Sequence, residues 1–203
     1  MNESGKSRYT KPVVSGGVLL LLLGLLITAT GNSNSSNPMK MLFQFDEASP
    51  AQPWAATNDG VMGGLSEGSA RLSDNGMLFT GDLSLENNGG FSSIRQRVNM
   101  DLSEYQGIRV KVRGDGRTYQ LRLESDARFR DRWAVSFSGD IETVAGEWVE
   151  VNVPFDALSQ SWRGRQFSEY TFNPSAVQMI GVILADKQPG DFEVEIAWVA
   201  AYR

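Results

Sequence analysis

The chain of 203 residues carries a formal net charge of −5, is 41% hydrophobic and 10% aromatic, and contains neither cysteine nor histidine. Their absence excludes disulfides, thiolate nucleophiles, Cys/His zinc sites, Ser-His-Asp triads and imidazole acid–base chemistry. The net acidity argues against sequence-independent nucleic-acid binding, which rests on neutralising phosphates.

The front of the chain differs from the rest. Lys6, Arg8 and Lys11 precede an apolar run from Val13 to Ala29, densest over Val18–Ile27 and followed by Thr28-Ala29-Thr30. That order fits a secretory signal or an uncleaved signal anchor over residues 1–31, and with its flanks the run just reaches the roughly 20 residues of a membrane span. Positive charge in front predicts the domain on the outer side, exported or membrane-anchored. A start at Met39 or Met41 would instead give a cytoplasmic protein. Residues 32–40, with Asn32-Ser-Asn-Ser-Ser-Asn37, read as a polar linker, and residues 41–203 as one domain.

Within the domain, Leu42–Phe45 reads as a first strand, stopped by Asp46 and a Ser49-Pro50 turn. The stretch from Trp54 to Ser66, with Asn58-Asp59-Gly60-Val61-Met62-Gly63-Gly64, has no amphipathic period and reads as a sharply turning loop. Val61 and Met62 lie in its middle, so something must cover them. Asn87-Asn88-Gly89-Gly90-Phe91 repeats the same chemistry, which suggests two turns packed on one another. Gly76–Gly81 is a strand bounded by glycines, with Leu83 and Leu85 alternating after it, and Phe91–Val98 alternates as well.

Ile108, Val110 and Val112, then Gly114-Asp115-Gly116, then Tyr119, Leu121 and Leu123, give period-two patterning on both sides of a turn, and predict an antiparallel hairpin. Arg128–Arg132 reads as an exposed loop, Trp133–Phe137 and Trp148–Val153 as strands, and Ser159–Pro174 as irregular. Met179–Ala185 is apolar on both faces and so predicts a central strand; Phe192–Trp198 alternates and closes the domain. Helical period is nearly absent. The expected fold is an all-β antiparallel sandwich of jelly-roll type.

Trp54 with Asn58–Ser66, Phe79-Thr80-Gly81, Asn87–Arg95, Gly114-Asp115-Gly116 with Tyr119, Trp162-Arg163-Gly164-Arg165 and Gly190-Asp191-Phe192 with Ala197-Trp198-Val199 together resemble the complex I intermediate-associated protein 30 family, over about Leu42 to Tyr202. The resemblance implies a galactose-binding-domain-like sandwich and a non-enzymatic assembly chaperone. Mitochondrial members of the family serve respiratory NADH:ubiquinone oxidoreductase, and plastid relatives serve photosystem biogenesis. The leucine block of the leader departs from an Arg-rich amphipathic transit peptide and points to a bacterial relative.

The expected partner is therefore a protein client, such as a subunit of a membrane complex; the alternative is a carbohydrate or small ligand, which the fold alone permits. Candidate contact residues are Trp54, Asn58, Asp59, Met62, Asn87, Asn88, Phe91, Arg95, Arg163 and Arg165. The competing reading makes the Asn and Asp side chains structural, satisfying loop backbone. Exposure of Trp54 with Met62 would favour a partner site; burial would make them loop core. Arg95, Arg97, Arg109, Lys111, Arg113 and Arg122 would form one basic patch if their strands are neighbours. Asp59, Asp115 and Asp191 sit in Gly-flanked turns, but their spacing does not make a calcium loop, so no metal or cofactor is expected.

Overall fold

A computed structural model describes residues 39–45 and 54–203. The leader, the linker as far as residue 38 and the Ser49-Pro50 turn lie outside the described residues. Among the described residues, thirteen strands form two antiparallel sheets. The first sheet is built around β13 (Gly190–Tyr202). One edge of β13 pairs with β4 (Gly76–Leu83) along its first half and with β1 (Lys40–Gln44) along its second. Its other edge pairs with β6 (Gly107–Gly114), which in turn pairs with β9 (Trp148–Pro154). The β3 strand (Glu67–Ser73) lies outside β4.

The second sheet has the order β11-β10-β8-β7-β12-β5-β2. Here β2 is Ala55–Asn58, β5 Ser92–Met100, β7 Thr118–Phe129, β8 Trp133–Glu142, β10 Ser159–Trp162, β11 Arg165–Phe167 and β12 Val177–Leu184. As its two-sided apolar pattern predicts, β12 is central, flanked by β5 and β7. Ile94, Leu121, Leu123 and Val182 from this sheet join Phe79, Val110, Val112 and Ile196 from the other in one buried core. Burying each such side chain contributes about 1.5–3 kcal/mol.

The predicted β6–β7 hairpin is not formed. The two strands belong to different sheets, and Gly114–Arg117 is a corner between layers. Period-two alternation shows which face of a strand is buried, and two strands facing each other across a core satisfy it as well as two strands in one sheet. The corner is tied on several sides. The Asp115 carboxylate accepts from Arg117 N–H (3.0 Å), the Tyr119 hydroxyl (3.0 Å) and Glu193 N–H (2.9 Å). The Thr143 hydroxyl accepts from Gly116 N–H (3.0 Å) and donates to the Arg117 carbonyl (2.8 Å). Burial, with the Asp115 charge beside it, pushes the Tyr119 hydroxyl well above its ordinary pKa.

Three further expectations change. Arg128 and Phe129 belong to β7, and the β7–β8 connection is the three-residue turn Arg130-Asp131-Arg132. The segment after Ser159 holds the β10–β11 hairpin. The strand β3 has no counterpart in the sequence reading: Glu67-Gly-Ser-Ala-Arg-Leu-Ser73 is an outer strand with little to bury.

Candidate functional site

Asn58 and Asp59 stand at the end of β2, where a single 3₁₀ turn (Asp59–Met62) begins. Asp59 is fully buried. Its carboxylate accepts from Ser66 N–H (2.9 Å), the Ser66 hydroxyl (2.5 Å), Gly90 N–H (2.7 Å) and Phe91 N–H (3.2 Å). Its own N–H donates to the Phe91 carbonyl (3.3 Å). One side chain therefore locks the 59–66 loop to the 84–91 loop, the packing of paired turns that the two Gly-rich stretches predict. Burial alone would raise the Asp59 pKa, but the donors from Ser66, Gly90 and Phe91 outweigh it and hold the carboxyl below its usual range.

The glycines of both loops follow from this lock. A Cβ on Gly64 would sit 2.4 Å from the Asp59 carboxyl carbon, and one on Gly89 2.6 Å from Asp59 Oδ2. Gly64→Ala is expected to cost about 1–3 kcal/mol, read as a lower midpoint in urea unfolding. A midpoint equal to that of the parent would show that the loop yields easily. Asn58 is also internal to the framework. Its Nδ2 donates to the Gly68 carbonyl (3.1 Å) and its Oδ1 accepts from the Ser92 hydroxyl (2.6 Å), joining β3 to β5.

The lock leaves an apolar tip in solvent. Val61 is 75% exposed and Met62 52%, and Leu65 and Leu85 are exposed as well. The described residues of the chain do not bury this pair, for which the sequence calls for some cover. Leu65 and Leu85 directly flank the Ser66–Ser84 contact, in which Ser84 N–H donates to the Ser66 hydroxyl (3.0 Å). Asn87 and Asn88 are exposed beside them, both left-handed at φ 54° and 59°, a conformation that Asn tolerates better than most residues. Phe91 is half-buried.

Other expected contact residues lie elsewhere. Trp54 is 2% exposed and packs edge-on against Phe43 and Phe45, so it supports the loop from within and cannot meet a partner. Asp59 is likewise buried beneath the tip. Arg95 is exposed on the outer face of the second sheet and donates to Thr57 Oγ1 (2.8 Å). Arg163 and Arg165 belong to the β10–β11 hairpin at the far edge of that sheet.

The single basic patch does not form either. Arg95, Arg97 and Arg122 share the second sheet, whereas Arg109, Lys111 and Arg113 lie on β6 in the first. Arg113 is paired with Glu195 (2.5 Å), and Arg122 donates to Ser136 Oγ (2.6 Å). A cavity of about 560 Å³ opens elsewhere, lined by rings that include Tyr105, Phe155, Tyr170, Phe172 and Tyr202. None of the expected contact residues lines it. The exposed leucines and the aromatic cavity are what sequence reasoning missed. Leu65, next to Gly63-Gly64, was the legible signal; the cavity draws its lining from scattered positions.

The family model for complex I intermediate-associated protein 30 matches residues 43–196. The chain belongs to this family. A probable complex I intermediate-associated protein 30, mitochondrial, of Caenorhabditis elegans is 31% identical over 122 residues, which is 59% of this chain and 35% of that protein. The Mus musculus protein of that name is 27% identical over 183 residues, 80% of this chain and 56% of the relative. The chain thus spans about a third of the nematode relative's length and little more than half of the mouse one's. These relatives are mitochondrial by name, and they lend nothing to the bacterial origin expected from the leader.

Solved structures match the fold at low identity. The family 11 carbohydrate-binding module of a Clostridium thermocellum cellulase gives a TM-score of 0.61 at 14% identity, covering 83% of this chain and 97% of the module. A family 30 module from the same organism gives 0.52 at 14%, covering 80% and 96%. Both support the β-sandwich for this member of the complex I intermediate-associated protein 30 family. Among its described residues no helix is long and apolar enough to cross a membrane.

Proposed function

We propose that this chain is a non-enzymatic binding module that grips a protein client through the apolar tip of its two coupled loops. The observation that carries the reading is the exposure of Val61 and Met62 on a loop whose base is fixed by buried Asp59. An apolar tip on a rigid base loses little conformational entropy on binding and gains by leaving water, and Met adapts to varied apolar surfaces. Asn87, Asn88 and Phe91 flank the tip and supply polar and aromatic contacts at its rim. The relatives' name supports a client among complex I assembly intermediates. Residues 1–31 are inferred to export or tether the chain, residues 32–40 to act as a spacer, and residues 41–203 to form the binding domain.

The test is capture from gently solubilised membranes with the tagged full chain and with a Val61→Ser/Met62→Ser variant. The parent is expected to recover subunits of a membrane complex. The variant should lose about 3–5 kcal/mol of binding, roughly two to three and a half orders of magnitude in affinity, at an unchanged melting temperature. Equal recovery by both proteins would remove the tip from the interface. The aromatic cavity carries a second reading, a sugar or other small ligand stacked on its rings. Retention on a glycan array, with no client recovered, would select it.

A further inference from the structure

Two hairpin tips at the β8–β10–β11 edge of the second sheet carry Arg130-Asp131-Arg132 and Arg163-Gly164-Arg165. Both turns place two successive residues in the left-handed region, Arg130 and Asp131 at φ 51° and 53°, Arg163 and Gly164 at φ 49° and 80°. Asn-Gly is the usual choice for such turns; arginine at the first position of each is not selected by the backbone. Behind the turns lies a cluster of rings. Phe129 is 5.0 Å from Trp162 and 5.1 Å from Phe167, and Trp133 is 5.1 Å from Trp162.

Each guanidinium lies over a ring. Arg130 covers Phe129 at 5.2 Å, Arg132 covers Trp133 at 5.4 Å and Arg163 covers Trp162 at 5.4 Å. Arg165 covers Phe167 at 5.3 Å and, across the gap between hairpins, Phe129 at 5.5 Å. Stacking fixes the guanidinium plane while leaving its N–H donors directed outward. The ion pairs among the described residues are Arg113–Glu195, Arg117–Asp186 and Arg203–Glu104, so none of these four arginines has a carboxylate partner there. The two tips together hold four cations and one anion, Asp131, in a chain of net charge −5.

We propose that these paired arginine hairpins dock the domain on an anionic phospholipid surface. Projecting tips suit an extended plane of many phosphates; a single acidic peptide is better held in a groove, and the cavity described above is lined by other residues. The half-buried Trp133 and Trp162 place indole rings at headgroup depth, where such rings are favoured. The acidity of the rest of the chain repels the same surface, which leaves one orientation. In that orientation the apolar loop tip stays free. The strand β12 runs antiparallel to both β5 and β7, so β5 and β7 point the same way. The 84–91 loop precedes β5, and the Arg130 turn follows β7 at the opposite end.

The test is flotation of the full chain with vesicles of phosphatidylcholine, alone or with about a third phosphatidylglycerol. The readouts are the ratio of the two affinities, in which the apolar contribution of the N-terminal segment cancels, and the change in that ratio from parent to variant, in which the charges of Lys6, Arg8 and Lys11 cancel as well. At about fivefold per arginine near the surface, a ratio on the order of a hundredfold or more is expected at low salt. It should fall towards one at ~0.5 M salt, and should be lower by about a hundredfold or more at low salt in the variant Arg130→Gln/Arg132→Gln/Arg163→Gln/Arg165→Gln. The corresponding fourfold Lys variant should keep most of the preference, because it keeps the charge. A parent ratio near one, or a ratio unchanged in a folded Gln variant, overturns the proposal. If the Gln variant does not fold, a preference insensitive to salt overturns it equally. Binding of polyglutamate without vesicle preference would assign the tips to an acidic protein and overturn the lipid reading. The Val61→Ser/Met62→Ser variant should float like the parent, so failure of this proposal and failure of the client reading are distinguishable.

Discussion

Asp59→Ala is expected to lower stability by about 3–5 kcal/mol, a large share of the 5–15 kcal/mol typical of a whole domain. The substitution leaves Gly90 N–H and the two donors of Ser66 facing a buried cavity, and unlocks the 84–91 loop from the 59–66 loop. Asp59→Asn keeps the volume but directs an amide N–H towards groups that are themselves donors, so it should recover only part of the loss. Because the folded pKa is depressed, the charged carboxylate stabilises the fold above the unfolded value of about 3.9. That stabilisation is lost as pH falls through the folded pKa. Acid unfolding of the parent should therefore gain a component below about pH 4 that Asp59→Asn lacks. Urea titrations from pH 7 downward would show it; an Asp59→Ala midpoint close to the parent's would mean that the loops are held by other contacts.

Arg117→Ala is expected to be comparably severe. The guanidinium forks onto Asp186, with Nε donating to Oδ2 (2.9 Å) and a terminal nitrogen to Oδ1 (2.8 Å), and also donates to the carbonyls of Gln188, Gly190 (3.3 Å) and Asp191 (3.0 Å). One side chain thus ties the corner between sheets to the β12–β13 connection. The hydrogen bond to Asp186 raises the Arg117 pKa; burial would raise that of Asp186, but the guanidinium outweighs it and holds the carboxyl low. Truncation strands a largely buried carboxylate, at a cost of about 3–5 kcal/mol. Arg117→Ala/Asp186→Ala should be the more stable of the two variants, since no unpaired charge remains. Arg117→Lys should restore little, because a point charge cannot reproduce the fork. If the single and double variants melt together, the pair contributes through packing alone.

Much of the sandwich was legible in the sequence because burial on one face imposes period two, which β5, β8, β9 and β13 carry, while β12 showed itself by being apolar on both faces and β4 by its bounding glycines. What alternation cannot encode is which strand lies alongside. Hence β6 and β7, adjacent in sequence and matched in pattern, were read as a hairpin although they face each other across the core. The outer strand β3 buries too little to leave a pattern. The β10–β11 turn was hidden because Arg163 occupies a left-handed position where glycine or asparagine would have signalled a bend. At the loops, the Asn-Asp-Gly and Gly-Gly chemistry correctly announced two coupled turns. Which side chain couples them was not readable, because Ser66, Gly90 and Phe91 meet Asp59 only after the chain has folded. Trp54, a candidate contact by residue type, sits in the core because Phe43 and Phe45 enclose it.

The strand order also constrains biosynthesis. The middles of the two sheets, β12 and β13, follow in sequence all the strands they pair with, and β1, β4 and β6 all wait for β13 to supply their partner edge. As the chain leaves the ribosome, its early strands emerge with unpaired edges and an uncovered apolar face. Such segments are prone to associate with one another or with other nascent chains. The first sheet can close only after residues 190–202 have been made, so each strand that pairs with them stays without its partner edge until then.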